Sequence, residues 1–233
     1  LARPARDQRP RAAVGRKWVG HGHGHEVVAR RMRIGKVAAA TTAAALIERF
    51  GVDRIVFTGT AGGLAEGVRV GDLVVADAFM QHDMDASPLF PRFEVPLYGQ
   101  SRFAVDAGLS QALAQAARSA VAAPMVTLGA DAVAEFGLGA PRVHQGLIVS
   151  GDRFVATSAE SAALRAALPD ALAVEMEGAA VAQVCHDYGL PFAAVRTVSD
   201  RADDAAHVDF MRFIDQVASR YSAAILEHYF ESL

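Results

Sequence analysis

Three short segments concentrate the residue types that can do chemistry. The first is Val174-Glu175-Met176-Glu177-Gly178, with two carboxylates two residues apart. Alternate side chains of an extended chain share a face, so Glu175 and Glu177 project together and Met176 opposes them. An ionised carboxylate accepts hydrogen bonds on both oxygens, which suits a vicinal diol such as that of a ribose. Met176 adds a polarizable apolar surface for a flat sugar or base. Such a pair beside an apolar stretch is costly to bury without donors or solvent. The plainer alternative is a pair of surface acids at a helix N-terminus, where negative charge is favoured.

The second segment, Arg196-Thr197-Val198-Ser199-Asp200, ends an apolar run with a hydroxyl and an acid. Asp200 can protonate a leaving purine if its surroundings favour the neutral acid while substrate is bound. The alternative is an N-cap for the following turn. The third is Thr58-Gly59-Thr60-Ala61-Gly62-Gly63. Its glycines let backbone come close to a ligand and present N–H groups. No Lys-Ser/Thr follows them, so this is not a P-loop, and a tight turn without a ligand is the alternative. Cleavage of an N-glycosidic bond needs an acid at the base, a carboxylate on the sugar hydroxyls and a held water, because the sugar develops oxocarbenium character. The first two are visible in these segments.

Other candidates carry less. His21, His23 and His25 alternate but lie in an irregular, polar start, so they read as non-ligands. Cys185 and His186 are neighbours on a helix and point apart, so Cys185 reads as a buried structural cysteine.

The elements that position these segments follow from pattern. Val37–Phe50 is Ala-rich with apolar residues at helical spacing, and Gly51 stands where a helix-ending glycine belongs. Arg54–Phe57 reads as a buried strand that the Gly59–Gly63 run ends, and Asp72–Ala76 as another. Residues 81–100 form a long loop with Pro88, Pro91 and Pro96, and loops of that length are often functional. Asp106–Val121 reads as a helix, Leu147–Ser150 as a strand, and Ser158–Leu168 as a helix with a Ser or Thr cap. Leu172–Val174 is a strand, Glu177–Tyr188 a helix ended by Gly189, and Pro191–Val198 a strand. Val208–Phe230 is one long amphipathic helix, with Phe210, Phe213, Ile214, Val217, Tyr221 and Ile225 on one side. Strand and helix alternate, which is α/β grammar, and ligands of open α/β sheets sit at the carboxyl ends of strands.

The whole chain sets limits on partners. Its 233 residues fit one α/β domain with a sizeable core. A net charge of −3 gives no reason to expect nucleic acid or an anionic membrane. No apolar run is long enough to span a bilayer. A single cysteine fits a reducing, cytoplasmic compartment. Residues 1–31 are Arg-rich at the front and lack periodic apolar pattern, so they read as an irregular, disordered segment ahead of one domain over 32–233. They lack the apolar core of a secretory signal.

Read together, RIGKVAA (33–39), TGTAGGLAEGVRVGDLVVAD (58–77), HDMD (82–85), SGDRF (150–154), VEMEGAAVAQVCHDYGLPFAAVRTVSDRAD (174–203) and His207 with Phe210 resemble the bacterial 5′-methylthioadenosine/S-adenosylhomocysteine nucleosidases. The resemblance covers roughly residues 33–230. It implies a three-layer α/β/α fold with a central mixed sheet, like that of the purine nucleoside phosphorylases. It implies hydrolysis of an adenine nucleoside to adenine and a thioribose, in methionine salvage, with no cofactor and no metal. By the resemblance, Asp200 protonates the purine N7 and Ser199 orients it. Glu177 grips the ribose hydroxyls, Met176 lies beside it, and Glu175 belongs to the same substrate-binding segment. Phe154 stacks on adenine and Val155 offers its backbone. Arg196 and Thr60 lie near the catalytic water, with Ala61 and Gly62 following in the glycine segment. Ile34 and Phe210 wall the 5′-alkylthio group. The family is homodimeric, and loop 82–100 corresponds to the segment lent to the neighbour's pocket, with Leu89 where many members have an aromatic. Members open with an apolar strand, a small-residue turn and a water-activating glutamate; residues 1–31 match none of these, although 18–28 look like the family's second hairpin.

Overall fold

The computed structural model describes residues 17–22, 24–202 and 210–233. Strands β1 (Lys17–Gly22) and β2 (His25–Arg30) come first, then helix α1 (Lys36–Phe50), β3 (Ile55–Gly63), β4 (Leu73–Gln81) and β5 (Arg102–Ala104). Helices α2 (Ala107–Ala122), α3 (Pro124–Thr127) and α4 (Ala130–Phe136) precede β6 (Val143–Ser150). The chain continues through α5 (Ser158–Ala167), β7 (Ala171–Glu175), α6 (Gly178–Tyr188) and β8 (Phe192–Asp200). It finishes with α7 (Phe210–Phe213), a π-helical stretch at Ile214–Ala218 and α8 (Ser219–Glu231).

The main sheet has the order β5-β4-β6-β7-β3-β8 and is mixed. β3 runs parallel to β8, and β6 runs parallel to both β4 and β7. β4 also pairs antiparallel with β8, so five of the strands close into a ring. Apolar stripes cover both faces. Ala39, Ala43 and Leu46 of α1 and Ala179–Ala182 of α6 pack on one side with Phe79, Ile148 and Phe192. Leu113, Ala117 and Ala120 of α2 and Tyr221 and Ile225 of α8 pack on the other with Leu73, Val75 and Val195. This is the expected three-layer α/β/α arrangement, because a mixed sheet apolar on both faces needs helices on both.

Several elements differ from the sequence reading. Residues 17–22 and 25–30 form an antiparallel hairpin in the register Trp18↔Ala29 and Val19↔Val28, as the resemblance over 18–28 implied and against the irregular segment read from pattern over 1–31. Val28 gives it purchase by packing against the first core layer, one contact that no periodic pattern announces. His23 and residues 1–16 lie outside the described residues. β3 does not stop at Gly59 but runs to Gly63, since small residues there let neighbouring side chains lie against the strand. The short α3, α4 and β5 lack enough turns or alternation to be read from pattern. The last helix is split by its π-helical stretch, yet Phe213, Val217, Tyr221 and Ile225 are buried as expected.

His82 follows β4 and packs over Gly151, where an added Cβ would lie 2.4 Å from its Nε2. That nitrogen is buried without a hydrogen-bond partner. Burial lowers the His82 pKa below 6.5, Asp83 opposes the shift and Lys36 reinforces it. A histidine held neutral contributes stability above its unfolded pKa and loses it as pH falls below about 6.5. The thermal midpoint should therefore fall more steeply between pH 7 and pH 5 in the native chain than in His82→Leu. Equal slopes in a paired melting series would exclude this origin.

Candidate active site

Sheet register brings the three chemical segments to one place. Gly62 and Gly63 of β3 pair with Val174 and Ala173 of β7, and Gly62 lies opposite Asp200 of β8 after a register shift at Ala61/Gly62. A bulge of that kind re-aims side chains at a strand end. The cleft there is lined by Ile34, Thr60, Ala61, Gly62, Arg153, Phe154, Val155, Val174, Glu175, Met176, Glu177, Ser199, Asp200 and Phe210. Of the residues assigned to the substrate site or its chemistry from sequence, all but Arg196 are among these. Arg153 and Val174 are additions; both lie within quoted motifs, but neither residue type marks a site. His207 lies outside the described residues.

The two glutamates do not act as a pair on one face. β7 ends at Glu175 and the chain turns into α6 at Gly178, so strand alternation no longer applies at Glu177. Glu175 is buried and its carboxylate is saturated by protein donors. It accepts from Arg196 Nη2 at 2.7 Å, from the Gly178 amide at 2.9 Å and from the Glu177 amide at 3.1 Å. The Ser150 hydroxyl also donates to it and itself accepts from the Ala179 amide at 2.8 Å. Glu175 and Ser150 thus satisfy the first amides of α6, which have no partner within the helix.

Glu177 is half-buried and its Oε1 accepts from the Gly35 amide at 2.8 Å. Burial pushes its carboxyl above the ordinary glutamate range, the Glu175 charge adds to that, and the Gly35 amide and Arg196 pull the other way. This carboxylate faces the cleft with acceptor capacity that the Gly35 amide does not use up.

Asp200 is 8 % exposed. Its Oδ2 accepts from Ser199 Oγ at 2.7 Å and its Oδ1 from the Ala202 amide at 2.8 Å. Ser199 Oγ also reaches the Ala61 carbonyl at 3.4 Å. Glycine is required at position 62 for this approach: an added Cβ would lie 2.9 Å from Asp200 Oδ1. Across the cleft Phe154 is 41 % exposed, whereas Val155 is buried.

Arg196 lies beneath the site, with its guanidinium 3.9 Å from the Phe57 ring centroid and Nη2 on Glu175. Its Nε and Nη1 are buried without a hydrogen-bond partner. Among the described residues, no group of three His, Cys, Asp or Glu side chains is arranged to hold a metal ion.

The fold is thus an α/β sheet that brings an acid, Asp200, and a separate carboxylate, Glu177, to one strand-end cleft, where sheets of this class take small ligands. A family model described as the phosphorylase superfamily matches residues 5–231. The 5′-methylthioadenosine/S-adenosylhomocysteine nucleosidase of Shewanella denitrificans is 37% identical over 205 residues, covering 87% of this chain and 80% of that protein. The Neisseria meningitidis nucleosidase of the same name, solved with methylthio-immucillin-A, aligns with a TM-score of 0.79 at 38% identity, over 93% of this chain and 86% of that one. The Streptococcus pneumoniae MTA/SAH nucleosidase, solved with 8-aminoadenine, aligns with a TM-score of 0.80 at 32% identity, over 97% and 90%. The chain belongs to the phosphorylase superfamily, in its 5′-methylthioadenosine/S-adenosylhomocysteine nucleosidase branch.

Proposed function

We propose that this chain hydrolyses the N-glycosidic bond of 5′-methylthioadenosine and S-adenosylhomocysteine, releasing adenine and a thioribose. The observation that carries the reading is the division of labour among the acids of one cleft. Asp200, oriented by Ser199, donates a proton to the purine as the bond to the sugar breaks. Glu177 accepts from the ribose hydroxyls, and Met176 lies against the sugar. Phe154 stacks on the base and the Val155 backbone recognises its edge. Thr60, Ala61 and Gly62 form the wall facing them, and Ile34 and Phe210 take the 5′-alkylthio group. Glu175 supports the site from below by fixing Arg196 and the start of α6. Residues 32–233 constitute the nucleosidase domain on this reading, since every cleft residue falls within them.

The same reading carries a homodimer in which loop 82–100 contributes to the neighbouring pocket. The solvent-exposed apolar side chains of Ile34, Val37, Leu89 and Leu97 support it. Among the described residues no helix is long and apolar enough to cross a membrane. A cytoplasmic role in methionine salvage follows from the proposed substrates.

One observation favours a second reading. Glu175, Glu177 and Asp200 are the only carboxylates that line the cleft among the described residues, and Glu175 is taken up by protein donors. A chain with no further base for water would bind the nucleoside and turn it over slowly or not at all. The two readings separate in one assay of the folded chain with 5′-methylthioadenosine. Adenine release without added phosphate is the expected result. Tight binding by calorimetry with no release supports the binder, and release that requires phosphate makes the chain a phosphorylase.

A further inference from the structure

Lys36 opens α1 two residues after Ile34, and its side chain is only 17% exposed. A strongly hydrated ammonium rarely sits that deep without acceptors. Nζ donates to Asp83 Oδ1 at 2.6 Å and to Gln81 Oε1 at 3.0 Å, with Asp152 Oδ2 at 3.9 Å. The carboxylates are tied in turn. Asp83 Oδ2 accepts from the Asp152 amide at 2.9 Å, and Asp152 Oδ1 accepts from the Lys36 amide at 2.8 Å. Burial pushes the Asp83 carboxyl up, but Lys36 and the Asp152 amide outweigh it and hold it below the ordinary range.

These bonds close a ring through three parts of the cleft rim: the start of α1, the end of β4 and the turn after β6. The turn continues into Arg153, Phe154 and Val155. Gln81 also donates to Gln183 of α6 at 2.8 Å. The residue between Ile34 and Lys36 is Gly35, whose amide holds Glu177. Gly35 sits at φ 100, a left-handed conformation open to glycine, and an added Cβ would lie 3.2 Å from Asp152 Oδ1. Its amide is therefore aimed by what anchors the next residue.

We propose that Lys36 is a positioning residue: by bridging Asp83, Gln81 and Asp152 it fixes the Gly35 amide, and through it the Glu177 carboxylate, in the orientation that grips a ribose diol. The proposal rests on the assignment of Glu177 to the ribose. Without the Lys36 side chain, Asp83 and Asp152 are like charges at short range, and the residue-36 amide on Asp152 is left to hold the Gly35–Lys36 turn against that repulsion.

The test is calorimetric binding to the full chain of a non-hydrolysable 5′-methylthioadenosine analogue and its 2′,3′-dideoxy counterpart. Binding needs no activated water, and the ratio of the two affinities is independent of the fraction of protein that is competent. The native chain should favour the diol by about 10- to 100-fold, the range of hydrogen bonds to a charged acceptor. Lys36→Met should bring that ratio to about threefold or less, and Lys36→Arg should keep most of it. If Lys36→Met does not give folded protein, Lys36→Met with Asp83→Asn removes both charges and carries the same measurement. A folded variant that retains the native ratio overturns the role of Lys36. A ratio near one in the native chain instead removes Glu177 from the ribose, and Lys36 loses its proposed task with it.

Discussion

Asp200→Asn is expected to lower kcat for adenine release by about 10²–10⁴-fold while changing nucleoside affinity only a few-fold. The amide keeps the size of the carboxyl group and can still meet Ser199 Oγ and the Ala202 amide, the partners at 2.7 and 2.8 Å. What it loses is the transferable proton. General-acid catalysis is realised only as the bond breaks, so its removal should appear in kcat and kcat/KM together and spare ground-state binding. Single-turnover release measured beside calorimetric binding separates the two quantities. A variant within tenfold of the native rate would mean that the proton comes from elsewhere. If the native chain itself releases no adenine, the nucleoside-binder reading stands and Asp200→Asn should then change affinity alone.

The second large effect is on stability. Arg196→Met should cost about 3–5 kcal/mol, because it leaves the Glu175 charge buried without its counter-ion. The two side chains are 1% and 2% exposed. Methionine retains an apolar contact with Phe57, so lost packing is the smaller part of the change. Adding Glu175→Gln to Arg196→Met should recover part of the loss, since the unpaired charge disappears while the Gly178 and Glu177 amides keep an acceptor. Urea unfolding of the single and double variants measures this directly. A single variant within about 1 kcal/mol of the native chain would show that the amides and Ser150 satisfy Glu175 on their own.

The pair also explains why the two glutamates looked equivalent and are not. Period-two alternation holds only while the chain stays extended, and β7 ends at Glu175. From sequence both carboxylates pointed at one ligand. In the fold the first is consumed by Arg196 and the α6 amides, and the second is held at the cleft by an amide contributed 142 positions away. Arg196 was legible as important; only the fold shows that it is buried on Glu175 and is not among the residues that line the cleft.

Local pattern determined much of this protein. Helices α1, α2, α5 and α6, the apolar cores of β3, β4, β6, β7 and β8, and the glycines that end α1 and α6 all follow from periodicity and capping, which act within a few residues. Most residues that line the cleft, Arg153 and Val174 apart, were also legible, because their types and order repeat those of a known family. Only the tertiary structure decided how they meet. The shift at Ala61/Gly62 that sets Gly62 against Asp200, the docking of β1 and β2 through Val28, and the closing of β4 onto β8 are long-range pairings. So is the ring by which Lys36 reaches Asp83 and Asp152. Each depends on contacts between segments distant in the chain, whose free energy comes from burial and charge pairing in the folded state, and no local stretch of sequence contains both partners.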